Sequence, residues 1–132
     1  MRITADTNIL IRAVVRDDAK QAEAAAKLLK NAEVIAVPLA CLCEFVWVLR
    51  RVYRLGRKDI HAALHALLSA ANVAVNRSAA DAGLAMLDAG GDFADGVIAF
   101  EARWLGGETF VSFDRKAVAL LEKQGLPATV LV

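Results

Sequence analysis

Short apolar runs alternate along the chain with longer stretches whose apolar positions recur every three to four residues. The first period suits buried strands and the second suits helices packed on one face. RITA at the start reads as a strand, and Asn8 to Val15 begins a helix. Residues from about Asp18 to Lys30 are Ala-rich and strongly helix-forming, and VIAV (Val34 to Val37) is a second strand. Pro38 suits the first turn of a long helix that runs to about Tyr53. Lys58 to Ala71 follows as a helix, and Val73 to Val75 as a strand. Ser78 is expected to cap a helix that stops at Gly90 and Gly91. Asp92 to Leu105 reads as helix, Thr109 to Phe113 as strand, Arg115 to Lys123 as helix, and ATVLV as a last strand.

Strands separated by helices predict an α/β fold, with a central, mainly parallel sheet of four to five short strands flanked by helices. The chain has 132 residues, no repeat and no linker, so one domain over residues 1–132 is expected. The longest apolar stretch, Val34 to Leu49, is broken by Pro38 and Glu44 and is shorter than the ~20 residues that span a bilayer. The start lacks the layout of a signal peptide, so a cytoplasmic protein with no membrane contact is expected. Cys41 and Cys43, two apart on a helix, point to different faces and read as small apolar residues.

Composition sharpens this in two ways. Hydrophobic residues make up 58% of the chain and the mean hydropathy is +0.45, more apolar than the roughly 45–50% usual in soluble domains. Part of that excess is expected on the surface as a partner-binding patch. Sixteen Lys and Arg against fifteen Asp and Glu give a net charge of +1. A bulk basic field for nucleic acid or membrane is thereby excluded, and any phosphate contact must be local.

In a parallel sheet the strands point their carboxyl ends at one edge, where ligands bind. Acids that follow different strands are therefore expected to meet. Asp6 follows RITA and Asp114 follows TFVSF, while Asp92 and Asp95 open a helix after a Gly-Gly turn. Asp6, Asp92 and Asp114 each also suit a helix N-cap, and Asp95 resembles the second member of a capping box. Glu44 has no such plain role. Its helix neighbours Ala40, Cys41, Trp47 and Val48 offer no cation, and a helix apolar nearly all round is expected to be buried. A buried carboxylate among others is costly unless a cation neutralises it. Oxygen-only ligands suit magnesium or manganese, and such an ion serves the hydrolysis of phosphodiesters.

The strand-Asp-Thr-Asn start, the acid inside the third helix, the stretch GGDFADGVIAFEAR and the strand-Ser-x-Asp of TFVSFDRKA together resemble the PIN domain. More narrowly the chain is similar to VapC-type toxins of VapBC toxin–antitoxin systems. The resemblance spans essentially all 132 residues. It implies a magnesium- or manganese-dependent endoribonuclease acting on structured RNA such as tRNA, inhibited by a cognate VapB-type antitoxin. Asp6, Glu44, Asp95 and Asp114 match the family's acidic quartet, as catalytic residues and metal ligands, with Asp92 an extra candidate ligand. Thr7, Asn8 and Ser112 match its supporting polar residues. In-line hydrolysis leaving a 5′ phosphate and a 3′ hydroxyl is implied.

Arg115 and Lys116 adjoin Asp114 and are candidate substrate-phosphate contacts, whereas the basic group Arg50, Arg51, Arg54, Arg57 and Lys58 serves equally as helix-end charge. His61 and His65 have the spacing of a helical metal pair, but the sequence between them lacks the glutamate of a zinc protease, so they read as structural. Trp47, Trp104, Phe45 and Phe100 read as core or dimer contacts rather than base-stacking platforms, and a homodimer is expected from the apolar content. Two other classes stay open. An aspartyl-phosphate phosphatase or receiver-like protein also gathers acids around magnesium, but it wants a further acid where Asp6 stands alone before Thr7 and Asn8. A non-catalytic, acid-lined interaction module would need no complete quartet.

Overall fold

The computed structural model describes residues 1–132, and the chain falls into two compact units, residues 1–76 and 77–132. In the first, β1 (Arg2–Thr4), β2 (Val34–Ala36) and β3 (Val73–Ala74) form a parallel ladder in the order β1-β2-β3. Ile3 lies opposite Ile35, and Ile35 opposite Val73. Parallel neighbours need long crossovers, and two helices fill each gap: α1 (Thr7–Val15) and α2 (Ala19–Asn31), then α3 (Leu39–Arg51) and α4 (Arg57–Ser69). Asp6 and Asp18 cap α1 and α2, and Arg16 closes α1 in the left-handed region at φ 58°. Asn72 ties the loop before β3 to the end of α2, its Nδ2 donating to the carbonyls of Leu29 and Ala32 at 2.8 and 2.9 Å. The core of this unit includes Leu10, Ile35, Leu42, Phe45, Leu49, Ile60 and Leu64.

The second unit pairs β4 (Phe110–Ser112) with β5 (Ala128–Val130), also in parallel, across α7 (Arg115–Lys123). Before them α5 (Arg77–Asp88) packs against α6 (Phe93–Glu101), which tightens into a 3-10 turn over Ala102–Leu105. Two glycines allow that close approach. A Cβ on Gly96 would meet the Ala82 carbonyl and come within 2.8 Å of Met86 Cγ, and one on Gly83 would come within 2.6 Å of the Phe93 ring.

Strand number, parallel pairing and helix order agree with the expectation from sequence, with the strands pairing as two ladders of three and two. Two local readings are corrected. Helix α5 already begins at Arg77, so Ser78 lies in its first turn and is not the cap. Pro38 stands one residue outside α3, at the N-cap position.

Candidate active-site carboxylates

In β1 and β4 alike, the residue two past the strand end is an aspartate that starts the next helix. Asp6 Oδ1 accepts from the backbone N–H groups of Asn8 at 2.8 Å and Ile9 at 3.4 Å. Asp114 Oδ1 accepts from Ala117 N–H at 3.0 Å, and Asp92 Oδ1 from Ala94 N–H at 3.1 Å. Capping and ligation are therefore not alternatives here. Each cap occupies Oδ1 and leaves Oδ2 open, at the end of a helix whose dipole favours an anion.

In the first unit Asp6 and Glu44 line one cleft of ≈ 380 Å³ together with Thr7, Asn8, Pro38 and Cys41. The parallel pairing of β1 with β2 explains this, since both strands deliver their following helices to the same edge. Thr7 Oγ1 donates to Cys41 Sγ at 3.5 Å, and that thiol donates to the carbonyl of Ala5 at 3.5 Å. Thr7 thus fastens α1 to α3 rather than touching Asp6. Burial above all pushes the Cys41 thiol up; the Thr7 bond opposes this, and the charges of Glu44 and Asp6 add to it.

Glu44 itself is exposed, against the expectation of burial. The apolar stripe of α3 is Leu42, Phe45, Val46 and Leu49. Ala40, Glu44, Trp47 and Arg51 form the opposite, solvent face, and the exposed Trp47 (58%) is what made the helix look apolar all round. Trp104 is likewise exposed, at 80%, so neither Trp is core, whereas Phe45 is fully buried.

The second unit holds the other acids. Asp95, in the first turn of α6, is half-buried, and burial is the main cause that pushes its carboxyl up. The charges of Asp92 and then Asp114 raise it further, and no cation offsets them. Ser112 Oγ accepts from the backbone N–H of Asp114 at 3.0 Å and so fixes the bend that presents this acid. Arg115 and Lys116 are exposed in the first turn of α7. His61 and His65 stack with ring centroids 6.4 Å apart and nearly parallel planes. The two cysteines and two histidines join no metal-binding group of three or more.

Folding raises the Asp95 carboxyl above its unfolded value, so stability falls as pH rises through that window and the penalty is absent below the ordinary carboxylate range. Asp95→Asn is therefore expected to melt a few degrees higher than wild type at neutral pH in chelator. That advantage should vanish in acid, as read by thermal denaturation across pH. A wild type equally stable at both ends would contradict it.

A divalent cation fits this donor set. Carboxylate oxygens without His or thiolate are what magnesium and manganese take, and a raised, like-charged Asp95 is the group such an ion would relieve. No three His, Cys, Asp or Glu side chains stand close enough together to hold a metal ion as they are.

One polar group escaped the reading of the sequence. Arg12, the lone charge within ILIRAVV, is gripped by three side chains: Nε donates to Gln21 Oε1 at 2.8 Å, and Nη1 to Asp17 Oδ1 at 2.9 Å and Tyr53 Oη at 3.0 Å. A single cation inside an otherwise apolar helix was the available signal.

No curated protein matches the chain. The sequence profile of the PIN domain, whose members are generally metal-dependent nucleases, matches residues 3–122 and runs through both units. With that match over most of its length and an α/β architecture of parallel strands, the chain belongs to the PIN domain family and has a nuclease fold.

Proposed function

We propose that the protein is a magnesium- or manganese-dependent endoribonuclease, the VapC-type toxin of a type II toxin–antitoxin pair, cutting structured RNA with tRNA as the substrate class. Residues 1–132 act as a single PIN-like domain in this reading, which the profile match through both units supports. The carrying observation is Asp95: a half-buried carboxylate raised by burial and by Asp92 and Asp114, with no cation offered by the chain. Asp6, Glu44, Asp95 and Asp114 are the catalytic, metal-ligating acids, and Asp92 joins them as a charge beside Asp95.

The bound ion would supply charge neutralisation and Lewis acidity toward the phosphodiester. The chain's own residues do the placing. The caps hold Asp6 and Asp114 at helix starts, Ser112 fixes the turn before Asp114, and Thr7 secures α1 against α3. Asn8 adds an exposed amide beside Asp6, and Arg115 and Lys116 give two exposed cations next to Asp114 for substrate phosphate.

A VapB-type antitoxin and a second copy of the chain are the partners in this reading. Exposed Trp47, Trp104, Leu105 and Phe113 support it, since large apolar side chains in water favour a protein cover. No helix is long and apolar enough to cross a membrane, and a cytoplasmic site of action is part of the proposal.

Purified protein should cleave bulk tRNA with magnesium or manganese, leave 5′ phosphate ends and stop in chelator. Metal alone should also raise the melting temperature, by about 2.7 kcal/mol of stabilisation at a hundred times the dissociation constant. RNA left intact in both metals would defeat the nuclease reading.

A further inference from the structure

We propose that the cleft beside Asp6, between α1 and α2, receives the base of the nucleotide next to the scissile phosphate and prefers guanine. This rests on the nuclease reading and names what its substrate must carry. The cleft, of ≈ 570 Å³, shares Asp6 and Asn8 with the acid-lined cleft and continues past Ile9 to Arg12, Gln21 and Leu28. At 1.5 Å per residue, Arg12 lies about 9 Å along the helix from Asp6, the reach of a neighbouring nucleotide.

The polar wall is fixed in advance. Arg12 cannot swing, because Gln21, Asp17 and Tyr53 hold Nε and Nη1, and Tyr53 Oη also donates to Asp17 Oδ2 at 3.3 Å. Its Nη2 keeps two N–H groups for a ligand. Gln21 spends Oε1 on Arg12, so its remaining group is the Nε2 donor. Arg12 and Gln21 therefore offer donors only. Beside them Ile9, Ala24 and Leu28 add apolar lining on which a flat ring can lie.

Asp17 balances the Arg12 charge at 2.9 Å, which makes this a weak general phosphate site. A base edge with two adjacent acceptors suits it better. Guanine O6 and N7 are such an edge, able to accept one N–H from Arg12 Nη2 and one from Gln21 Nε2, whereas adenine presents a donor beside N7. Unpaired RNA bases are read in this way, by an edge and a face.

The test uses fluorescence anisotropy in chelator with four labelled RNA pentamers, uridine throughout except for a central A, C, G or U. Wild type should bind the guanine pentamer about tenfold or more tighter than the others. Gln21→Glu retains an oxygen for Arg12 and occupies the third position of α2, where Glu is favoured after the Asp18 cap, so the fold is kept. It turns the Nε2 donor into an acceptor and should erase the preference. Equal binding of all four pentamers, no measurable binding of any, or an unmoved preference in Gln21→Glu overturns the proposal and leaves the cleft to a protein side chain. Cleavage of bulk tRNA with magnesium or manganese separates the two ideas. A guanine preference without tRNA cleavage supports the base site and counts against the nuclease, and tRNA cleavage without a preference does the reverse.

Discussion

Asp114→Asn is expected to lower RNA cleavage about a thousandfold, near 4 kcal/mol of transition-state stabilisation, while leaving the melting temperature close to that of wild type. The split between activity and stability is the informative part. Asn accepts from the Ala117 N–H as well as Asp does, so the start of α7 stays capped. What is lost is the negative charge at Oδ2, and with it the ability to hold a divalent cation. Asp114→Ala removes the cap as well and should cost a further 1 kcal/mol or so in stability. Growth arrest on expression of the wild type, relieved by Asp114→Asn, is the matching outcome in cells. End-mapped RNA sequencing after brief induction of both would identify the target. An Asn variant that cuts at the wild-type rate would remove Asp114 from the catalytic set.

Phe93→Ala should be the most damaging apolar substitution near the acids, at about 3–5 kcal/mol by urea denaturation. Phe93 is 1% exposed, and its ring occupies the hollow that Gly83 leaves on α5. It is also the first residue of α6, between the cap Asp92 and the half-buried Asp95. Emptying that hollow admits water beside Asp95. Because burial is the leading cause that raises this carboxyl, the group should titrate nearer its ordinary range in the variant. NMR titration of the carboxyl reports this directly, and an unchanged Asp95 would show that its burial does not depend on the α5–α6 packing.

The order of elements was legible because the apolar periods are clean. Leu42, Phe45, Val46 and Leu49 follow a helical period, while VIA is a short β-branched apolar run and RIT alternates polar, apolar, polar as a strand does. The capping aspartates were legible by position, since an Asp just after a strand suits the start of the helix that follows. Burial was misjudged at Glu44. A helix carrying Trp47 and Val48 seems uniformly apolar to a periodicity count, yet large apolar side chains can face solvent when a partner surface awaits them. The half-burial of Asp95 is not legible, because no count along the chain reveals the Gly83 and Gly96 approach that sinks α6 onto α5. The clamp around Arg12 joins residues 12, 17, 21 and 53, and only the folded chain brings Tyr53 to it.

On the proposed nuclease reading, the double duty of the capping aspartates sets how easily this protein can be disarmed. One nucleotide change turns an aspartate codon into an asparagine codon, and at Asp6, Asp92 or Asp114 the helix start accepts the amide. Silenced copies should thus arise in a single mutational step and stay folded. Such a copy keeps every surface outside the changed carboxylate, so on the proposed reading it would compete for the same partners as a decoy instead of disappearing as misfolded chain.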